Sequence, residues 1–235
     1  MAKVAGFEAV LPDGDFMTIG QISSGQDIHK FAPVVERIIS EGYVAQFEPS
    51  LVPMGAVREY LADSGNEAYV ARREARMRRS TREGSVYYGA WVTDGDNSYG
   101  TLVGVAKSTP SRPRWRKSLY PDANKDVKAN CFLNDVVVLP RFQRRGVGSA
   151  LAWAAMVGYG EDRAGVLNAF EGNEAVNSWF KSLSFHRRQG INVEAFEIGS
   201  HTIPQTRMEA TALKGVTAVL LQKRPWLADV KVLDS

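Results

Sequence analysis

One stretch constrains this chain more than any other: Val136-Val-Val-Leu-Pro-Arg-Phe-Gln-Arg-Arg-Gly-Val-Gly-Ser-Ala-Leu151. The apolar run at 132–139 is too short for a helix and reads as a buried strand ended by Pro140. A loop with Arg144, Arg145, Gly146 and Gly148 follows. Leu151, Ala152, Ala155, Met156 and Tyr159 then recur at helical spacing, with Gly158 and Gly160 stopping the helix. Free N–H groups at a helix start, with the dipole behind them, bind phosphate. The glycines let backbone approach a ligand closely and the arginines add positive charge. The local physics points to a pyrophosphate ligand.

The rest of the chain supplies a sheet for this unit. Residues 15–22 can form a first strand. Asp27 reads as the N-cap of a helix carrying Ile28, Phe31, Val34, Val35, Ile38 and Ile39. Residues 54–82 form a second helical region in which Arg58, Arg72, Arg73, Arg76, Arg78, Arg79 and Arg82 alternate with acids. That pattern reads as a solvated face with i,i+4 pairs. Residues 85–93 and 99–107 form a hairpin about Asp94-Gly95-Asp96-Asn97. Strands follow at 165–171, 192–198 and 216–223, with a helix from Asn173 that puts Val176, Trp179, Phe180 and Leu183 on one face. Antiparallel strands come first and a βαβ unit follows, so the fold class is a mixed α/β (α+β) sheet.

Two phosphate-binding patterns fail. No Gly-x-x-x-x-Gly-Lys-Ser/Thr string is present. Gly146 and Gly148 begin a dinucleotide fingerprint, and Glu171 would be its acid, but position 151 is Leu. The first glycine also comes seven residues after Leu139, and the upstream antiparallel strands are wrong for that fold. A dinucleotide-binding oxidoreductase is the less favoured alternative.

Gln143-Arg144-Arg145-Gly146-Val147-Gly148 resembles Gln/Arg-x-x-Gly-x-Gly/Ala, the acyl-CoA signature of the GNAT N-acetyltransferase superfamily. The lead-in Val138-Leu-Pro-Arg-Phe142 matches as well. A second family motif, Asn-x-x-Ala-x-x-Phe-Tyr-x-x-x-Gly-Phe, reads here from Asn173 to Phe185 with its spacing kept. The resemblance implies a mostly antiparallel central sheet with flanking helices and a splayed strand pair that holds acyl-CoA. It implies an acetyl-CoA cosubstrate, no metal, and transfer to a primary amine on a small molecule or protein. The amides of Gln143, Arg144, Arg145, Gly146, Val147, Gly148 and Ser149 would hold the pyrophosphate. The strands at 134–138 and 166–171 would part around pantetheine. The Val136 backbone would face the acetyl carbonyl, that of Val138 the pantetheine amide, and Asn173 would bond the pantetheine arm.

Two departures from the family pattern bear on catalysis. Asn134-Asp135 stands where relatives often carry Glu-Asp, so Asp135 is a base, a substrate anchor or the partner of a basic residue. Phe180 stands where relatives often place a Tyr acid, and Phe has no proton to give. Tyr159 or another Tyr would then serve as acid, or the chain is a CoA-binding regulatory or interaction module without activity.

The remaining features fit this picture. Net charge is only +3, which does not argue for nucleic acid as a whole-molecule property. Residues 107–128 nevertheless hold seven basic residues and two acids, with Trp115 and Tyr120 among them. Such a loop suits a solvated lid; a contact to an acidic protein or small-molecule substrate is the next alternative, and single-stranded RNA or tRNA binding the weakest. A lone Cys131 reads as buried and inert. His29 reads as a surface or capping residue. His186, beside Arg187 and Arg188, reads as surface loop or a contact to the 3′-phosphate of CoA. No apolar run approaches a membrane span, so a cytoplasmic protein is expected. A single domain over 1–235 is expected, with a homodimer left open.

Overall fold

The computed structural model describes residues 6–46, 52–93, 100–110, 131–189 and 193–233. Its strands are β1 (Gly6–Val10), β2 (Phe16–Gln21), β3 (Val86–Thr93), β4 (Thr101–Pro110), β5 (Cys131–Val138), β6 (Gly165–Phe170), β7 (His186–Arg187), β8 (Phe196–Ile198), β9 (His201–Ile203), β10 (Gln205–Ala210) and β11 (Lys231–Leu233). Its helices are α1 (Gly25–Val44), α2 (Met54–Ser64), α3 (Glu67–Arg82), α4 (Val147–Tyr159), α5 (Glu174–Ser182) and α6 (Leu213–Lys223). Nine strands form one sheet in the order β11-β1-β2-β3-β4-β5-β6-β10-β7, and β8 and β9 pair separately. Every neighbouring pair is antiparallel except β5 and β6, which run parallel. The crossover between those two is α4, as a parallel pair requires.

Side-chain alternation along the strands assigns the helices to two faces. Tyr87 bonds Ser80 of α3 through its hydroxyl, while the Tyr88 hydroxyl meets Gly158 of α4. Val137 abuts Gly42 of α1, whereas Gly104, opposite Val138, lies under Leu151 of α4. So α1 and α3 cover one face and α4 covers the other, with α6 packed outside α4. Helix α4 is buried at Val147 and from Ser149 through Met156. A helix apolar all round needs that double cover. Burying a side chain of this size contributes about 1.5–3 kcal/mol relative to leaving it in water.

The boundaries have local causes. The N-cap of α1 is Ser24 and not Asp27: the Ser24 hydroxyl accepts from the Asp27 N–H at 3.0 Å and donates back to its carboxylate at 2.6 Å. Asp27 lies in the first turn, where the dipole favours an acid. The region 54–82 is two helices, broken at Gly65, with Asn66 capping α3. The strand read at 15–22 is the second; Gly6–Val10 precedes it as its hairpin partner. Residues 216–223 are helical. Their β-branched and leucine side chains bury one stripe, Leu213, Val216, Thr217 and Leu220, which is helical spacing. The strand beside β6 is instead Gln205–Ala210, to which the sequence alone assigns no element. Residues 107–110 of the basic segment are the end of β4, and the remainder of that segment and the turn at 94–97 lie outside the described residues. No described helix is long and apolar enough to cross a membrane.

Gly42 fixes how closely α1 rides on the sheet. A Cβ there would fall 2.0 Å from Val137 Cγ1, which no small adjustment relieves. Gly42→Ala is expected to lower unfolding free energy by about 1–3 kcal/mol, the usual cost of overpacking. A urea melt of variant against wild type checks this.

Candidate active site

Strands β5 and β6 pair only over Cys131–Leu133 and Gly165–Leu167. Beyond Leu133 they part. The cause is visible on the other side of β5, where the register with β4 slips: Val105 opposes Val137, but Lys107 already opposes Asn134. Asp135 and Val136 therefore share the place opposite one residue, Ala106, and form a bulge. Asp135 takes φ +49°, the left-handed region. Backbone groups alternate beyond the bulge. Leu139 donates to the Val103 carbonyl at 2.8 Å, and Val137 faces Val105, so the N–H and C=O of Val136 and Val138 point away from β4 into the gap.

The loop after β5 is held from three sides. The Gln143 side chain donates to the Val138 carbonyl at 3.0 Å, and its own N–H bonds the Pro140 carbonyl at 3.2 Å. Neither is free for a ligand, contrary to the expectation from the sequence. Arg145 is also committed: its guanidinium bonds Asp13 and Asp15 in the turn between β1 and β2. Those two acids lower its availability to a phosphate and raise its own pKa. Arg144 is exposed at φ +65° and has no carboxylate partner among the described residues. Gly146 caps α4 at φ +99°. Trp226 lies against it, so close that a Cβ would fall 2.7 Å from the indole. The indole Nε1–H is buried without a partner among the described residues. The amides of Val147, Gly148 and Ser149 form the first turn of α4, where no earlier carbonyl accepts them.

An open cavity of about 1100 Å³ runs from the gap across α1, α2 and α3. Asn134, Asp135 and Val136 line it from β5, Asn168 and Phe170 from β6, and Val176 and Phe180 from α5. Tyr43, Tyr60 and Tyr69 line it from the helices, and Glu194 and Glu197 from in and beside β8. The Tyr43 hydroxyl donates to Asp135 Oδ1 at 2.5 Å. Burial, with the adjacent Asp135 carboxylate, pushes the Tyr43 phenol well above its ordinary value, so it stays a proton donor through neutral pH. Arg73 and Glu36 form a buried ion pair. Burial alone would lower the Arg73 pKa, yet the Asp135 and Glu36 carboxylates raise it.

Several sequence candidates lie elsewhere. The loop 143–149 is not part of the cavity wall. Tyr159 is absent from that wall too, and burial raises its pKa to about 12. The Asn173 Oδ1 accepts from the Val176 N–H at 3.0 Å, so the side chain caps α5 and offers a ligand only its amide NH₂. Phe180 is buried against Trp179 and Phe185 while bordering the gap. Asn134 donates to the Thr109 hydroxyl at 3.3 Å. Cys131 is fully buried, and burial lifts its thiol to about 12. His29 pairs with Glu74 on the surface, and Glu171 with Arg187. Among the described residues no three His, Cys, Asp or Glu converge to hold a metal. Sequence reasoning missed Tyr43, Glu36 and Arg73. The only signal was an acid inside the apolar stripe of α1, four residues before Ser40 and seven before Tyr43.

The model of the acetyltransferase (GNAT) family matches residues 54–191. No curated protein matches in sequence. An uncharacterized protein from Bacillus halodurans superposes with TM-score 0.58 and 11% identity, over 97% of this chain and 98% of its own. A ribosomal-protein-alanine N-acetyltransferase from Brucella melitensis gives 0.51 and 15%, over 82% and 98%. The ribosomal L7/L12 α-N-protein acetyltransferase RimL, solved with coenzyme A, gives 0.53 and 10%, over 84% and 95%. At these identities the likeness is one of fold.

Gly146→Ala is expected to cost about 1–3 kcal/mol, because the new methyl meets the Trp226 ring at a backbone angle that side chains disfavour. A matched pair of denaturant titrations measures it, and an unchanged midpoint would contradict the packing described.

Proposed function

This chain belongs to the GNAT acetyltransferase family, and on that premise we propose that it transfers an acetyl group from acetyl-CoA directly to a primary amine. The observation that carries this reading is the parting of β5 and β6 after Leu133, which turns the peptide groups of Val136 and the N–H of Val138 away from β4 into the gap, with Val136 lining the cavity. A thioester arm laid in that gap can complete the broken ladder as a strand would. The phosphate end then reaches the first turn of α4, where Val147, Gly148 and Ser149 present N–H groups and Arg144 adds charge. Of the residues nominated from the sequence, these four hold the pyrophosphate. Gln143 and Arg145 shape the loop. Asn173 and Phe180 border the arm.

The chemistry follows from the placement. The amine nitrogen attacks the thioester carbonyl carbon, the tetrahedral oxyanion forms, and the C–S bond breaks to release CoA thiolate. The Val136 N–H, aimed into the gap, stabilises the oxyanion. Holding the two reactants side by side removes much of the entropic barrier. Asp135, at the bulge and within the cavity, takes the proton that the attacking ammonium must lose. Tyr43 fixes the orientation of that carboxylate. A free thiolate has a reference pKa of about 8.5, so water can protonate it without a dedicated acid.

The continuity of one sheet from Gly6 to Leu233 supports reading residues 1–235 as one domain. Cytoplasmic residence and an acceptor on a small molecule belong to the same proposal. Phe180 favours a second reading, a CoA-binding module without turnover.

One assay separates the two. Acetyl-CoA is incubated with a panel of amines and thiol release is followed with a disulfide reagent. Cys131 adds no background, since a buried thiol with a pKa of about 12 is not thiolate at pH 8. Release that depends on the amine supports transfer. CoA binding by calorimetry without any release supports the module, and absence of both sinks the family-based reading.

Two variants test the assignments. At Gly148 a Cβ would sit 3.7 Å from Val138 Cγ2, ordinary contact. Gly148→Asp should therefore fold, helped by an acid in the first turn, yet bind CoA at least about 100-fold more weakly by repelling the pyrophosphate. Asp135→Asn keeps a residue type that tolerates positive φ. It is expected to lower kcat about 10²- to 10⁴-fold, measured with a saturating amine. A change confined to KM would make Asp135 an anchor and not the base.

A further inference from the structure

Helix α3 carries an unusual distribution of arginines. Arg78 is paired with Glu74 and also donates to the Gly25 carbonyl. Arg73 is neutralised by Glu36. Arg72, Arg76 and Arg79 are different. They stand at i, i+4 and i+7, one row on one face, and all three line the cavity. None has a carboxylate partner among the described residues, and all three are exposed. Arg72 rests over the Tyr69 ring at 5.0 Å, which holds its guanidinium plane in place. Like charges one turn apart destabilise a helix by a few tenths of a kcal/mol per pair. Of this row, Arg76 is felt at the sheet: burial lowers the Lys107 pKa, Asp135 opposes that, and Arg76 with Arg73 adds to the lowering.

A different segment brings the opposite sign. Glu194, just before β8, and Glu197, within it, also line the cavity. Glu36 is already spent on Arg73, and Asp135 lines the cavity from the bulge of β5. The cavity lining therefore carries both signs, three guanidinium groups of α3 without a carboxylate partner among the described residues and carboxylates from other elements. The first turn of α4 contributes nothing to this lining, so the arginine row is separate from the phosphate loop.

Resting on the acetyl-transfer reading above, we propose that the acceptor is a small zwitterionic amine. Its anionic group, a carboxylate or a phosphate, is held by Arg72, Arg76 and Arg79, while its ammonium faces Asp135 and the Glu194–Glu197 wall. Guanidinium groups suit such anions because their planar fork matches two oxygens at once. The volume supports a small ligand: about 1100 Å³ holds a thioester arm and a compact acceptor. Carboxylate-directed attraction also collects the ammonium form before Asp135 removes its proton.

The experiment compares matched probes. Ethanolamine, phosphoethanolamine and β-alanine are each given to the full-length protein with acetyl-CoA, and kcat/KM is measured. One anionic probe is expected to exceed ethanolamine by about 100-fold or more, equivalent to one or two charge-assisted hydrogen bonds. Which of the two leads distinguishes phosphate from carboxylate. In Arg76→Gln/Arg79→Gln that preference should fall below about 10-fold, chiefly through KM. Its thermal midpoint should match wild type, since both side chains are exposed. Equal use of all three probes, or a preference that survives in the variant, overturns the proposal.

If no amine is acetylated, the acetyl-transfer reading fails independently, and calorimetry decides the anion site. Phosphoethanolamine or β-alanine binding to wild type and not to the double variant upholds the site. No binding of either by wild type rejects it. An acidic peptide or a single-stranded oligonucleotide that saturates at lower concentration than any small amine rejects the small-molecule assignment.

Discussion

The structure turns on a single extra residue in β5. With Asp135 and Val136 together opposite Ala106, the strand cannot remain in register with both neighbours. It keeps β4 and loses β6. Everything that makes the site follows from that choice. The gap opens, two peptide groups lose their ladder partners, and Asp135 turns into a left-handed conformation that brings its carboxylate to Tyr43. A buried peptide N–H without a partner is costly, so such a gap is stable only where a ligand or water satisfies it. The unpaired edge is thus both the local weakness of the sheet and the part best suited to receive an extended ligand.

The phosphate loop is braced by residues far away in sequence. Asp13 and Asp15, from the first hairpin, hold Arg145. Trp226, near the far end of the chain, covers Gly146. Gln143 ties the loop back to β5. Three supports from three regions keep the glycine turn in one shape, so the amides of α4 point outward before any ligand arrives. Preorganisation of this sort reduces the ordering cost of binding.

The legible parts of the sequence were those whose cause is local. The turn from β5 into α4 is written in Pro140, Gly146 and Gly148, and the Asn173 cap in a single side chain. The parts that failed depend on distant contacts. Residues 216–223 are rich in strand formers, but their burial spacing is helical because α6 packs on α4 and not in the sheet. Arg73 looked like its solvated neighbours until Glu36, 37 residues earlier, was brought beside it. Tyr43 is an ordinary helical aromatic in sequence. Only Gly42, by letting α1 touch Val137, brings its hydroxyl to Asp135. Spacing reveals elements, but it does not reveal which polar groups meet across them.

The two rims of the main sheet share a property with a different consequence. One ends in β11, three residues long, and the other in β7, two residues long. A strand edge invites another chain only if it offers a long row of unpaired N–H and C=O groups. Among the described residues neither rim of this sheet does. Growth of the main sheet by edge-to-edge joining is discouraged there. The other break in backbone pairing among the described residues is the internal one between β5 and β6, bordered by the cavity and suited to a slender extended ligand.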